Sequence, residues 1–375
     1  MLTLIKNVTV YSPSPLGICD ILIANDRIEQ ISQNISLTLD NVVIVDGQGL
    51  TAIPGLIDNH VHILGGGGEA SYASQTPPIE AGELIASGVT TVVGVLGTDG
   101  VSRTMANLVA KVRGLREQGV SAYCMAGNYR IPQLTATGDI FKDMLFVDCI
   151  IGSGELAIND HRSSQPTQQD FNSVVADTYV AGMLSGKAGV SNVHLGSGKS
   201  GLKLLTTLLT ETEIPSQKIL PTHINRSQDI FSQGIAYSIK FNATIDFTTS
   251  RDNITPINDP LNAHNCFISS LASGVNISNI TFSSDGQGSM PIYDIDKRII
   301  GSGVGKVASV WETISALVSQ GIDLSQALLP ATTNPARILS LASKGNLKVG
   351  ADADIVLVRG DKIVSVFACG KHYQV

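Results

Sequence analysis

The chain has 375 residues, 43% of them hydrophobic and 15% charged, which supplies apolar material for a large core and excludes general disorder. A formal net charge of −7 excludes a nonspecific grip on phosphate backbones, which needs clustered Lys and Arg, so no nucleic-acid partner is expected. No run reaches the roughly 18 apolar residues that span a bilayer, so no membrane partner is expected either.

In chain order, residues 1 to about 50 alternate Val, Ile and Leu with turn residues, as in Asp20-Ile21-Leu22-Ile23, and read as short strands. The first residues, Met1 to Asn7, lack a signal-peptide core. The five cysteines (Cys19, Cys124, Cys149, Cys266, Cys369) are odd in number and form no C-x-x-C pair, which points to a reducing, cytoplasmic setting. From about 55 to 300, β-branched runs alternate with runs of helical period. Strands are expected at 57–62, 89–96, 121–127, 149–158, 191–195, 219–223, 243–248 and 279–284, with amphipathic helices between them at 102–118, 170–185 and 229–240 among others. Residues 345–375 return to strand patterning in Asp354-Ile355-Val356-Leu357-Val358. The expected fold is α/β: a (β/α)8 TIM-type barrel over 51–344, with a small β-sandwich domain built from both termini, 1–50 and 345–375.

Such a barrel gathers its chemistry at the C-terminal ends of its strands. Side chains alternate along a strand, so His60 and His62 share one face at the end of strand one. Glu155 lies late in strand four, His194 late in strand five, His223 at the close of strand six, and Asp285 just after strand eight. These six candidate ligands exceed the three or four protein groups of a single catalytic zinc, so two divalent ions are expected, joined by a bridging carboxylate. Imidazole and carboxylate suit zinc best, with manganese or cobalt open. Two ions about 3.5–4 Å apart share a water, lower its pKa and polarise a carbonyl, which makes hydrolysis the expected reaction. Asp285 is placed to take the proton of the attacking water and pass it to the leaving nitrogen.

The strand-end order and the closing Gly350-Ala351-Asp352-Ala353-Asp354-Ile355-Val356-Leu357 resemble the amidohydrolase superfamily. Within it, five segments resemble the isoaspartyl dipeptidases: His60-Val61-His62-Ile63-Leu64-Gly65-Gly66-Gly67-Gly68-Glu69, Gly94-Val95-Leu96-Gly97-Thr98-Asp99, Asp160-His161-Arg162-Ser163, Pro221-Thr222-His223-Ile224-Asn225-Arg226 and Ser283-Ser284-Asp285-Gly286-Gln287-Gly288-Ser289. The resemblance runs nearly end to end. It implies cleavage of dipeptides linked through the β-carboxyl of aspartate, and assembly as a homo-oligomer. It implies that Glu69 receives the substrate's α-amino group and that Arg162 and Arg226 bind its carboxylates, guanidinium being shaped for a bidentate grip. Gly67, Thr98 and Ser289 would complete the pocket, and Tyr129 would help polarise the scissile carbonyl. His161, beside Asp160, reads as a residue behind the ligands or a structural one.

The chain departs from that pattern in strand four, where the resembling family carries a lysine that forms a bridging carbamate and this chain has Glu155. A carboxylate has the same charge and two oxygens, but it is shorter by roughly 3–4 Å of reach. Glu155 bridges only if the strand or the ions shift, and no carbon dioxide is then required. Two other functions stay open: a cyclic-amide or N-acyl amidohydrolase of dihydroorotase type, and a catalytically silent scaffold. A cyclic imide without a free amino group would leave Glu69 without a partner.

Overall fold

The computed structural model describes residues 1–38, 41–69, 71–293 and 299–375. Strands β1 (Leu2–Tyr11), β2 (Pro15–Ala24), β3 (Arg27–Ser32), β4 (Val42–Asp46) and β5 (Thr51–Pro54) open the chain. They are followed by β6 (Leu56–Val61), β7 (Val89–Gly94), β8 (Ser121–Ala126), β9 (Ile150–Ile158), β10 (Val190–Leu195), β11 (Ile219–Thr222), β12 (Ile245–Thr248) and β13 (Ile280–Ser283). Strands β6 to β11 form a six-stranded parallel sheet in sequence order, and β12 and β13 form a parallel pair. The sheet curls towards its own first strand: β12 lies beside β11, β13 beside β6, and Val61 makes a parallel bridge to Gly286. Every residue of β6, β7, β9 and β10 is buried, as expected of parallel strands covered on both faces.

The intervening helices are those the apolar period requires. In α2 (Met105–Glu117), preceded by the short α1 (Ala81–Ala86), residues Met105, Leu108, Val112 and Leu115 face the core, and Thr104 with Asn107 closes a capping box. After α3 (Ile140–Phe146), α4 (Gln168–Ser185) starts on the Thr167–Asp170 capping box and stops at Gly186 in the left-handed conformation. Then come α5 (Lys203–Glu211) and α6 (Gln228–Phe241), the latter capped by Ser227 and ended by left-handed Asn242. That turn is why β12 begins at Ile245, two residues later than the sequence pattern indicates. The eight strands otherwise fall within one or two residues of expectation at most ends. The antiparallel hairpin β14 (Ser289–Tyr293) and β15 (Ile299–Val304) directly after Asp285 has no counterpart in the sequence reading.

The C-terminal strands β16 (Ile355–Arg359), β17 (Lys362–Ala368) and β18 (Lys371–Gln374) join the N-terminal ones in one eight-stranded sheet of order β18-β17-β16-β5-β1-β2-β3, with β4 also paired to β1. Its buried residues, including Ile5, Val8, Ile21, Ile355 and Phe367, pack with Leu50 and Leu347 of the adjoining loops into a core separate from that of the parallel sheet. No helix among the described residues is long and apolar enough to cross a membrane.

Candidate active site

All six candidate ligands converge at the C-terminal ends of the parallel strands. Two hydrogen bonds lock the first and last of these ends together, from His62 N to Gly286 O at 2.8 Å and from Asp285 N to His60 O at 3.1 Å. They bring Asp285 Oδ1 to 3.1 Å from His62 Nε2 and 3.7 Å from His60 Nε2. Glu155 lies at the centre: Oε2 is 2.8 Å from His194 Nδ1, 3.2 Å from His60 Nε2 and 3.5 Å from His223 Nε2, while Oε1 is 3.7 Å from His62 Nε2.

The reach of Glu155 has a local cause. Ser191 of β10 pairs with Ser153 of β9 but Val193 pairs with Leu156, so β9 carries one extra residue at this point. Such a bulge bends a strand and re-aims its side chains. Gly154 occupies it with φ +138°, where an added Cβ would lie 2.6 Å from the Asn192 carbonyl oxygen. The bulge takes Glu155 out of the register of a regular strand, and its carboxylate stands among the four histidines.

Five of the six residues fall into groups that could hold a divalent cation, and His194 stands in neither. His60, His62 and Asp285 form one group and His60, Glu155 and His223 another, with the possible ligand atoms of each group within 4.8 Å of one another. His60 Nε2, Glu155 Oε1 and Asp285 Oδ1 are buried without a hydrogen-bond partner, a costly state that a cation relieves. Asp285 (φ 54°) and His223 (φ 63°) hold left-handed conformations rare for residues with side chains, as strained functional positions do. Burial opposes charge throughout the cluster, and proximity reverses it at several groups. Burial would lower His60, yet Glu155 and Asp285 lift it to about 9. Burial would raise Glu155, but the His60 and His194 imidazoles hold it well below the usual carboxylate range. Asp285 is likewise drawn down to about 2 by the histidines around it, whereas burial keeps His223 neutral, near 3.

On the open side, Glu69 is the meeting point of the expected pocket residues. Its carboxylate accepts from Thr98 Oγ1 at 3.0 Å, from Arg162 Nη1 at 2.9 Å and from Ser289 Oγ at 3.3 Å. Gly67 is tight as well as flexible, since a Cβ there would sit 2.4 Å from Ser74 O. Tyr129 is buried, with its hydroxyl 3.0 Å from His194 Nδ1 and the Arg162 guanidinium 5.2 Å above its ring. Arg226 follows His223 in a single turn, half-buried, and its charge bears on both Tyr129 and His223.

Three further residues touch the ligands. Asn192 Oδ1 is 3.1 Å from His60 Nδ1, and Thr248 Oγ1 is 2.6 Å from His223 Nδ1. Asn192 was legible, because it stands two residues before His194 on the same strand face. Thr248 ends β12 and carries only the signal of a polar residue at a strand end. The third is Asp160, 3.0 Å from His194 Nε2. His161 points away from the site with its side chain 90% exposed, so Asp160 is the member of that pair that stands behind a ligand.

A parallel α/β sheet with histidines and carboxylates at these strand ends defines a metal-dependent hydrolase of the amidohydrolase type, and the amidohydrolase family model matches residues 177–372. The chain belongs to that family. It is 42% identical to the beta-aspartyl dipeptidase of Fervidobacterium islandicum AW-1, whose structure in complex with beta-Asp-Leu superposes with a TM-score of 0.93 over 100% of this chain and 96% of that one. It is also similar to dihydroorotases. Identity to that of Staphylococcus epidermidis is 35% over 117 residues, 31% of this chain and only a quarter (25%) of that protein's length. Identity to that of Elusimicrobium minutum is 24% over 392 residues, covering 95% of this chain and 87% of that protein.

Proposed function

We propose that this chain is a metal-dependent dipeptidase that hydrolyses the amide bond of β-aspartyl dipeptides. The observation that carries the reading is Glu69, a carboxylate held by Thr98, Ser289 and Arg162 on the open side of the ligand cluster. An acidic and a basic side chain side by side match the ammonium and carboxylate of an α-amino acid head, which a β-aspartyl peptide retains. A cyclic amide of the dihydroorotase kind offers Glu69 no cation, and the full-length likeness to a beta-aspartyl dipeptidase supports the same choice.

His60, His62, His194, His223, Glu155 and Asp285 would hold two divalent ions. Imidazole and carboxylate donors suit zinc best. Bound there, the ions supply Lewis acidity and a lowered water pKa. Asp285, held as carboxylate by the neighbouring histidines, takes a proton from the attacking water and delivers it to the leaving nitrogen. Tyr129, whose phenol burial and Glu155 keep protonated, donates to the oxyanion. Glu69 takes the substrate ammonium, Arg162 and Arg226 its carboxylates, and Gly67 closes the pocket.

The eight parallel strands read as a (β/α)8 barrel over 51–344, and the separate core of the terminal sheet supports a small β-sandwich domain from 1–50 and 345–375. The unpaired thiols of all five cysteines support a cytoplasmic setting. Strand β4, with Val43 and Ile44 exposed, supports a homo-oligomer.

The test is metal analysis together with hydrolysis of β-aspartyl-leucine, α-aspartyl-leucine and dihydroorotate by wild-type protein and Asp285→Asn. Turnover of the β-linked peptide alone, reduced about 10²–10⁴-fold in the variant, is expected. Metal-loaded wild type that leaves β-aspartyl-leucine intact, or that prefers dihydroorotate, would overturn the proposal.

A further inference from the structure

Asp160 lies two residues beyond β9 and is almost wholly buried, and every atom of its carboxylate is engaged. Oδ1 accepts from the backbone N–H of Arg162 at 2.8 Å and from its Nε at 3.0 Å. Oδ2 accepts from Arg162 Nη2 at 2.8 Å and faces His194 Nε2 at 3.0 Å. The other nitrogen of His194, Nδ1, looks into the ligand cluster, 2.8 Å from Glu155. One carboxylate therefore grips a candidate metal ligand and a candidate substrate-binding arginine at once. The backbone is shaped for this contact. Asn159 turns the chain in the left-handed conformation and ties to Gly196 O through its amide at 2.9 Å. Gly196 has no Cβ, and one would sit 2.5 Å from Asp160 Cβ.

We propose that Asp160 is a positioning residue with two outputs, fixing His194 so that Nδ1 faces the metal and fixing the guanidinium of Arg162 where it meets the substrate carboxylate. The first output follows from chemistry. A ligating imidazole keeps its lone pair on one nitrogen when the other N–H has a strong acceptor, and loss of such an acceptor typically costs 10- to 100-fold in metal affinity. The second follows from shape. The Asp160 carboxylate meets Arg162 edge to edge, which leaves Nη1 alone turned to Glu69 and the pocket. An amide at position 160 has one oxygen for four N–H contacts and turns an NH2 towards the others, so it cannot serve both partners.

The inference rests on the metal-dependent dipeptidase reading, and its test is built to fail separately. Zinc affinity of Asp160→Asn and wild type is measured by competition with a chromogenic chelator, which needs no substrate. The KM for β-aspartyl-leucine is measured at saturating zinc. A 10- to 100-fold loss of zinc affinity together with a KM raised at least 10-fold is expected, while Arg162→Lys raises KM and leaves zinc affinity unchanged. A folded Asp160→Asn protein in which either quantity stays at the wild-type value would overturn the double role. Should Asp160→Asn not fold, nitrogen-15 NMR of His194 in zinc-loaded wild type decides: a proton on Nε2 and none on Nδ1 supports the proposal, and zinc on Nε2 overturns it. Wild type that binds zinc but leaves β-aspartyl-leucine intact would refute the dipeptidase reading, and the zinc and NMR measurements would still decide the role of Asp160 towards His194.

Discussion

Replacing Gly154 with alanine tests the account of how Glu155 reaches the cluster. The new Cβ would meet Asn192 O at 2.6 Å and Asn192 Cβ at 2.9 Å, and the residue would have to hold φ +138°. A side chain in that region of backbone space costs about 1–3 kcal/mol, and overpacking a closed site costs about 1–3 kcal/mol more. The sum, about 2–6 kcal/mol, is relieved only if β9 moves away from β10, and that movement carries Glu155 out of the ring of histidines. For a chain of this length, scaling inversely from smaller domains, about 1–2 °C of melting temperature accompanies each kcal/mol, so a fall of about 2–12 °C is expected in metal-free protein. Metal-loaded protein should fall further, because the variant gains less from the ions. Scanning calorimetry with and without chelator, and metal content by mass spectrometry, provide the readout. A Gly154→Ala protein with wild-type melting temperature and wild-type metal content would refute the bulge as the device that presents Glu155.

Glu69→Gln removes the anion opposite the substrate ammonium, and the KM for β-aspartyl-leucine should rise about 10- to 100-fold, the ~1.5–3 kcal/mol of a charged hydrogen bond. Steady-state kinetics with the free and N-acetylated peptide check this; an unchanged ratio between the two would exclude Glu69 as the amine receptor. Burial lifts Asp58 to about 7, against about 3.9 in an unfolded chain. Between those values the folded protein keeps a proton that the unfolded chain has released, so this group's contribution falls as pH rises from about 4 to 7, by on the order of 4 kcal/mol at most. Urea unfolding of metal-free wild type and Asp58→Asn should show their difference shrinking or reversing across that window, and a pH-independent difference would contradict the assignment. Chelation should lower the melting temperature and re-addition of zinc restore it, since an ion at 100 times its Kd contributes about 2.7 kcal/mol. An unchanged melting curve would mean that the orphaned atoms His60 Nε2 and Asp285 Oδ1 are not awaiting a cation.

The strands and the six clustered residues were readable because a parallel strand writes its burial and its polar terminus into consecutive residues. His194 and His223 stand at the ends of the strand-patterned runs 190–193 and 219–222, and alternation alone puts His60 and His62 on one face. What escaped depends on partners distant in sequence. The bulge at Gly154 exists only in the pairing of β9 with β10, and the residues of β9 by themselves do not show it. Which of the adjacent polar residues Asp160 and His161 turns inward is not written in the sequence, and Gly196 decides it by leaving room. The β14–β15 hairpin lacked a two-residue turn signal, its strands being joined through 294–298.

The closure of β6 on the segment after β13 has a consequence during synthesis. Asp58 and Ser284, hydrogen-bonded beneath the site, are 226 residues apart in the chain. At roughly 5–20 residues per second, the ribosome places about 10–45 s between His60 and Asp285. For that interval the emerging polypeptide displays a pair of imidazoles with no aspartate to complete the set. Ring closure thereby becomes a late, non-local event of the slow-folding kind, and full coordination of a metal by both ends of the sheet waits until the last parallel strand has left the ribosome.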